Sequence, residues 1–164
     1  MNKPRSAYFD GVKYDDLIFV CSSVVGVARM VLQPETYVVG CLKEKGIRLE
    51  LETAQVNHCG APENYYRELI RDYELETGTY DVRTYLDTDT RLPDERYMGS
   101  IYARLIVDLM EQRKEPLISI FMEVFTSELP ACLNDFRMAY YFMPDNQLLA
   151  EYLEGEFDRI GRMA

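Results

Sequence analysis

Two carboxylates stand two residues apart in Asp87-Thr88-Asp89-Thr90, with Asp94 and Glu95 shortly after them. Carboxylates at this spacing can share a divalent cation, or divide the roles of nucleophile and proton donor. His58-Cys59 sets the chain's one histidine beside a thiol, the residue types of a base and its nucleophile. Glu50 and Glu52 form a third pair, with the residue types of a general acid and base.

None of the three is completed by its neighbours. The Asp-x-Asp spacing resembles that of aspartate-nucleophile phosphatases and of metal-binding sugar transferases. The phosphatase pattern has Thr or Val two residues after the second Asp, where this chain has Arg91, and no later Lys and Asp pair completes the site. An EF-hand loop beginning at Asp87 would need Asp or Asn, Gly and Glu where the chain has Arg91, Leu92 and Met98. The stretch therefore reads as a solvated connection whose Asp and Thr side chains make turn and capping bonds. His58 and Cys59 would point to opposite faces of an extended segment, so His58 reads as a turn histidine. Glu50 and Glu52 fall on the wet face of an expected strand, where Lys43, Lys45 and Arg48 nearby point to cross-strand ion pairs. Glycine-rich phosphate loops and a G-x-S-x-G elbow are missing. No cofactor and no metal is expected.

The elements that would position these groups read as follows. Asp10-Gly11 between Ala7-Tyr8-Phe9 and Val12-Lys13-Tyr14 predicts a tight hairpin. The apolar runs 17–21 and 24–32 predict buried strands, with Gly26 as a bulge. Gln33-Pro34-Glu35 predicts a turn, and 37–42 and 47–53 a second hairpin around Glu44-Lys45-Gly46. A helix starts at Pro62, carries Tyr65, Tyr66, Leu69, Ile70 and Tyr73 inward, and is capped by Gly78. Residues 80–86 predict a short strand. An amphipathic helix over 94–113 buries Met98, Ile101, Tyr102, Leu105, Ile106 and Leu109, and Pro116 ends it. Strands are expected over 117–122 and 136–142. A last helix after Pro144-Asp145 carries Leu148, Leu149, Tyr152, Leu153, Phe157 and Ile160. The expected fold class is α+β: an N-terminal, largely antiparallel sheet with hairpins and about three amphipathic helices packed on it.

Composition narrows the function. With 164 residues, 48% apolar and 28% charged, the chain fits one domain that buries roughly 70% of its surface. Residues 1–60 hold seven acids and seven bases, whereas residues 61–164 hold 21 acids and 11 bases. The whole net charge of −10 thus sits in the second part. Such a charge disfavours direct binding of nucleic acid or an anionic membrane, and favours a basic protein partner. Cys21, Cys41, Cys59 and Cys132 are too sparse for a disulfide scaffold, residues 1–6 lack an apolar signal core, and the apolar window 17–30 is too short to span a bilayer. A reducing, cytoplasmic setting is expected.

The leading expectation is a non-enzymatic, acidic protein-binding module. It would be an inhibitor or nucleic-acid mimic of the anti-CRISPR or anti-restriction kind, with carboxylates standing where phosphates would sit on a basic surface. Glu63, Glu68, Asp72, Glu76, Asp87, Asp89, Asp94 and Glu95 are its candidate partner-binding residues, interleaved with interface-prone tyrosines. Two alternatives come from other classes. One is a small metal-dependent hydrolase or transferase using Asp87 and Asp89, with Glu95 as a third ligand. The other is an oligomeric scaffold using the apolar N-terminal sheet as its interface.

Overall fold

A computed structural model describes residues 3–157 and shows a helical protein. Among the described residues there are seven α-helices: α1 (Tyr14–Val31), α2 (Glu35–Asn57), α3 (Pro62–Asp72), α4 (Glu95–Arg113), α5 (Leu117–Thr126), α6 (Leu129–Leu133) and α7 (Asp145–Leu153). The sheet is a single hairpin of β1 (Tyr8–Phe9) and β2 (Val12–Lys13), paired antiparallel with Tyr8 opposite Lys13. The expected sheet-based α+β fold is therefore corrected to a helical bundle with one small hairpin.

The hairpin forms where it was expected, because Asp10 (φ 50°) and Gly11 (φ 78°) supply the two left-handed positions of its turn. The Asp10 carboxylate also accepts from the Leu117 N–H at 2.7 Å, which ties the turn to the start of α5.

The runs 17–21 and 24–32 are not strands but the middle and end of α1, which is buried along most of its length. A helix that is apolar all round has no polar face, so its sequence carries no visible 3.6-residue period. Two local features accommodate the helix. Asp15 and Asp16 in its first turn and Arg29 in its last complement the helix dipole. The Ser22 and Ser23 hydroxyls donate to Ile18 O and Phe19 O, 2.6 and 2.8 Å away, and so are satisfied inside apolar surroundings. Gly26 is no bulge. The Tyr66 ring packs on it so closely that a Cβ there would overlap two ring carbons.

The second expected hairpin is likewise absent, since residues 35–57 form α2, two helical stretches that meet at a break at Lys43 (φ 62°, ψ 176°). Its buried side is Val38, Val39, Leu42, Ile47, Leu51 and Ala54, and Leu49 points outward at 51% exposure. Arg48 pairs with Glu44 one turn back, not across strands. Residues 117–122 belong to α5, where Leu117, Ile118, Phe121, Val124 and Phe125 recur at helical spacing and are buried. In place of the strands expected over 80–86 and 136–142 are 3-10 turns, Val82–Tyr85 and Tyr140–Phe142.

The helices read from periodicity do form. Helix α3 begins at Pro62 but ends at Asp72, not at Gly78. Gly78 instead donates its N–H to Val31 O at 2.8 Å, and a Cβ there would meet Leu32 O at 2.7 Å. Helix α4 begins where Asp94 accepts from the Tyr97 N–H at 2.7 Å. Replacing Asp94 by Ala should lower the stability of the protein by about 1 kcal/mol in urea unfolding, since it strips the N-cap from this long helix. An unchanged midpoint would show that the first turn is held by packing alone. Helix α7 buries Leu148 and half-buries Leu149 and Tyr152, while Leu153 is exposed and Phe157 is buried beyond its end. Ile160, like Met1 and Asn2, lies outside the described residues.

Helices α1 and α4 form the centre and run antiparallel. Arg29 near the end of α1 donates to Pro93 O just before α4, and Gly99 of α4 lies against Ser22. Helices α2 and α3 also pack on α1, while α5 contacts α2 and α4, and α7 contacts α4. No helix among the described residues is long and apolar enough to cross a membrane.

Candidate functional site

The eight candidate partner-binding residues lie on α3, on the irregular connection after it, and at the start of α4. Helix α3 turns Tyr65, Tyr66 and Leu69 inward, which leaves Glu63, Glu68 and Asp72 exposed on its outer side. Arg67 and Arg71 share that side, so it is mixed in charge. Arg71 pairs with Asp72 at 3.1 Å, while Arg67 turns to Asn64. Glu68 and Asp72 are one helical turn apart, a like-charge spacing that costs a few tenths of a kcal/mol. Both also lie close enough to Glu50 to raise its pKa, although burial is the larger cause.

Glu63 and Glu95 meet in one shallow pocket with Arg29, Tyr66 and Arg83. The Tyr66 hydroxyl there is pushed up to about 12, first by burial and then by these two carboxylates. Asp94 is committed to capping α4. Glu76 is exposed, and its backbone is tied to the first turns of α2, where its N–H donates to the Tyr37 hydroxyl at 2.9 Å. Asp87 and Asp89 are exposed in a turn closed by the Thr90 N–H donating to Asp87 O at 3.1 Å. Among the described residues no group of three or more His, Cys, Asp or Glu side chains is placed to hold a metal ion.

The other two pairs are rearranged by the helical fold. Glu50 and Glu52 do not share a face. Glu50 is buried and accepts from the Tyr65 hydroxyl, whereas Glu52 is exposed. His58 caps the end of α2 with its ring edge-on to Phe19, 4.1 Å between centroids. It lies 3.8 Å from Asp15 and 3.9 Å from Asp16, and Cys59 beside it is exposed.

A polar cluster that no sequence pattern marked lies in the core. Glu35, in the first turn of α2, is 1% exposed and accepts from the Asn134 amide at 2.8 and 3.1 Å. Burial pushes its carboxyl up to about 7 against the opposing pull of the Asn134 hydrogen bond and the Arg29 charge. Burial also lowers the pKa of Arg29, with Glu95 and Glu35 acting against it. The buried Tyr102 hydroxyl beside this cluster is raised by desolvation and by Glu35. In the sequence Glu35 reads as the last residue of a turn, because nothing local shows that Pro34 starts a helix whose first turn is buried.

Compared with protein-family models, curated proteins and solved structures, the chain shows no significant match to any. The functional reading therefore rests on the chain's own residues.

Proposed function

We propose that the protein is a non-enzymatic acidic binding module, acting in the cytoplasm, that occupies a basic surface of a nucleic-acid-handling protein in place of the nucleic acid. One observation carries this reading. Glu63, Glu68, Glu76, Asp87, Asp89 and Glu95 take part in none of the salt bridges among the described residues. Five of the eight described arginines after residue 60 are meanwhile engaged by other carboxylates, namely Arg83 by Asp81, Arg96 by Asp15, Arg104 by Asp108, Arg113 by Glu123 and Arg137 by Asp135. Carboxylates outside any internal salt bridge keep much of their field for an external partner, and complementary fields speed association in a salt-sensitive way. The metal-dependent alternative needs a third ligand beside Asp87 and Asp89. The scaffold alternative needs an apolar sheet, and those residues are buried in helices.

The experiment is a capture from lysate at low and high salt, followed by displacement with duplex DNA. The wild-type chain should retain a basic nucleic-acid-handling protein at low salt and release it to DNA. A variant carrying Glu63→Lys, Glu68→Lys, Asp87→Lys and Asp89→Lys should bind it at least about tenfold more weakly while unfolding at the same temperature. Asp94 is left out because it caps α4. Retention that ignores both salt and the charge reversal would sink the proposal.

A further inference from the structure

The geometry points to a second site, remote in chemistry from the acidic residues: we propose that the break in α2 binds a small amphipathic anion, an aliphatic chain ending in a carboxylate or phosphate. The proposal goes beyond the acidic-module reading and does not depend on it.

A pocket of about 500 Å³ opens at this break. Leu42, Leu49 and Tyr73 line it with apolar surface, and Lys43, Lys45 and Arg48 supply its positive charge. A volume of this size, mostly apolar with a few charged groups, is what small-molecule sites use. Glu52 is its one acidic lining residue. A separate, smaller pocket of about 180 Å³ shares Arg48 and Glu52 and is lined also by Asp10, Pro116 and Ile118.

The backbone explains how the basic groups come together. Residues two apart on a straight helix point roughly 200° from each other, so Lys43 and Lys45 would face opposite sides. Lys43 instead has φ 62° and ψ 176°, a conformation that suits glycine and strains a lysine. The break lets both lysines line one opening. Gly46 contributes by lacking a side chain, since a Cβ there would lie 3.0 Å from the Tyr73 hydroxyl.

Charge chooses the ligand's head group. Lys43 and Lys45 are exposed and take part in none of the salt bridges among the described residues, while Arg48 holds Glu44. Glu44 beside them turns to Arg48, and both lysines stay outside these salt bridges beside an apolar wall. Leu49, half-exposed on that wall, has apolar surface to give to an aliphatic tail. An anion with such a tail satisfies both at once. A neutral alkyl chain would leave the lysines unused, and free phosphate would leave the wall wet.

The test titrates the full chain with decanoate, kept below its micellar concentration, and with decyl phosphate, followed by NMR. Decanol, inorganic phosphate and phosphatidylglycerol vesicles are run beside them. Saturable one-to-one binding of decanoate and decyl phosphate is expected, with decanol and phosphate at least about tenfold weaker. Lys43→Gln with Lys45→Gln should weaken decanoate about tenfold and flatten its salt dependence. Leu49→Asp should weaken it as well. These changes fall on exposed side chains, so unfolding temperatures should stay close to wild type. Lys43→Gly separates strain from charge, because it should raise stability while lowering affinity. Equal binding of decanol and decanoate, an affinity unmoved by the lysine variants, no saturable binding of any amphiphile, or binding to vesicles alone would each overturn the proposal.

Discussion

Glu35→Gln should remove a pH-dependent loss of stability worth about 3 kcal/mol, the largest single effect expected in this protein. The carboxyl titrates near its ordinary value in the unfolded chain and at about 7 in the folded protein, where burial disfavours its charge. Below the unfolded pKa both states hold the proton, and Glu35 imposes no penalty. As pH rises toward 7 the unfolded chain releases the proton while the folded protein keeps it, so stability falls. Above about 7 the folded protein carries a buried carboxylate, and the penalty is complete. The amide of the variant keeps the shape and can still meet Asn134, but it cannot ionise. The difference in unfolding free energy between the Glu35→Gln variant and the wild-type chain should therefore swing toward the variant by about 3 kcal/mol between pH 4 and pH 8. For a chain of this size that amounts to roughly 6–12 °C in Tm. Urea unfolding across the pH range provides the check. Parallel curves for the two proteins would mean that Asn134 and Arg29 hold Glu35 ionised throughout.

Gly99→Ala should cost about 1–2 kcal/mol even though Ala is the better helix former. A Cβ at position 99 would overlap Ser22 Oγ and stand 2.5 and 2.7 Å from the Ser22 backbone N and Cα. Overpacking costs about 1–3 kcal/mol, and against backbone this site falls at about 2–3 kcal/mol, of which the gain in helix propensity offsets about 1 kcal/mol. The clash decides the sign because two of the three contacts are backbone. Helices α1 and α4 must move apart, and the side chains packed along both lose contacts together. Removing the hydroxyl with Ser22→Ala should restore only part of the loss, which a double-mutant cycle by thermal unfolding can read. Full rescue would show that the contact is a side-chain matter and that the helices are not held at closest approach. Gly40→Ala is the control. Nothing lies within 4 Å of a Cβ there, so this change should stabilise the protein by about 1 kcal/mol.

The candidate site was legible in part. Turn chemistry at Asp87–Thr90 was readable because it depends on neighbours in sequence, and the Thr90 N–H to Asp87 O bond is the outcome. The outer position of Glu63, Glu68 and Asp72 on α3 followed from the helical spacing of Tyr65, Tyr66 and Leu69. The pairing state of the charges was not readable. Asp15 and Arg96 are 81 positions apart and form a 2.9 Å pair, and Glu35 and Asn134 are 99 positions apart in the core. Chain-distant contacts of this kind leave no periodic trace.

By itself the sequence determined what local physics can dictate. Asp10-Gly11 forces its turn because few residues accept two successive positive φ angles. Pro62 starts α3 because it has no N–H to leave unpaired, and Asp94 starts α4 through its carboxylate. The confinement of the net charge to residues 61–164 is also a property of the sequence alone. Only the tertiary structure decided that 17–31, 37–53 apart from the break at Lys43, and 117–122 are helical, against the strand preference of their branched and aromatic residues. A segment buried on every side, as α1 is, has no polar stripe to betray its period. Its conformation is settled by what packs around it: the close contact of Ser22 with Gly99, and the Tyr66 ring seated on Gly26.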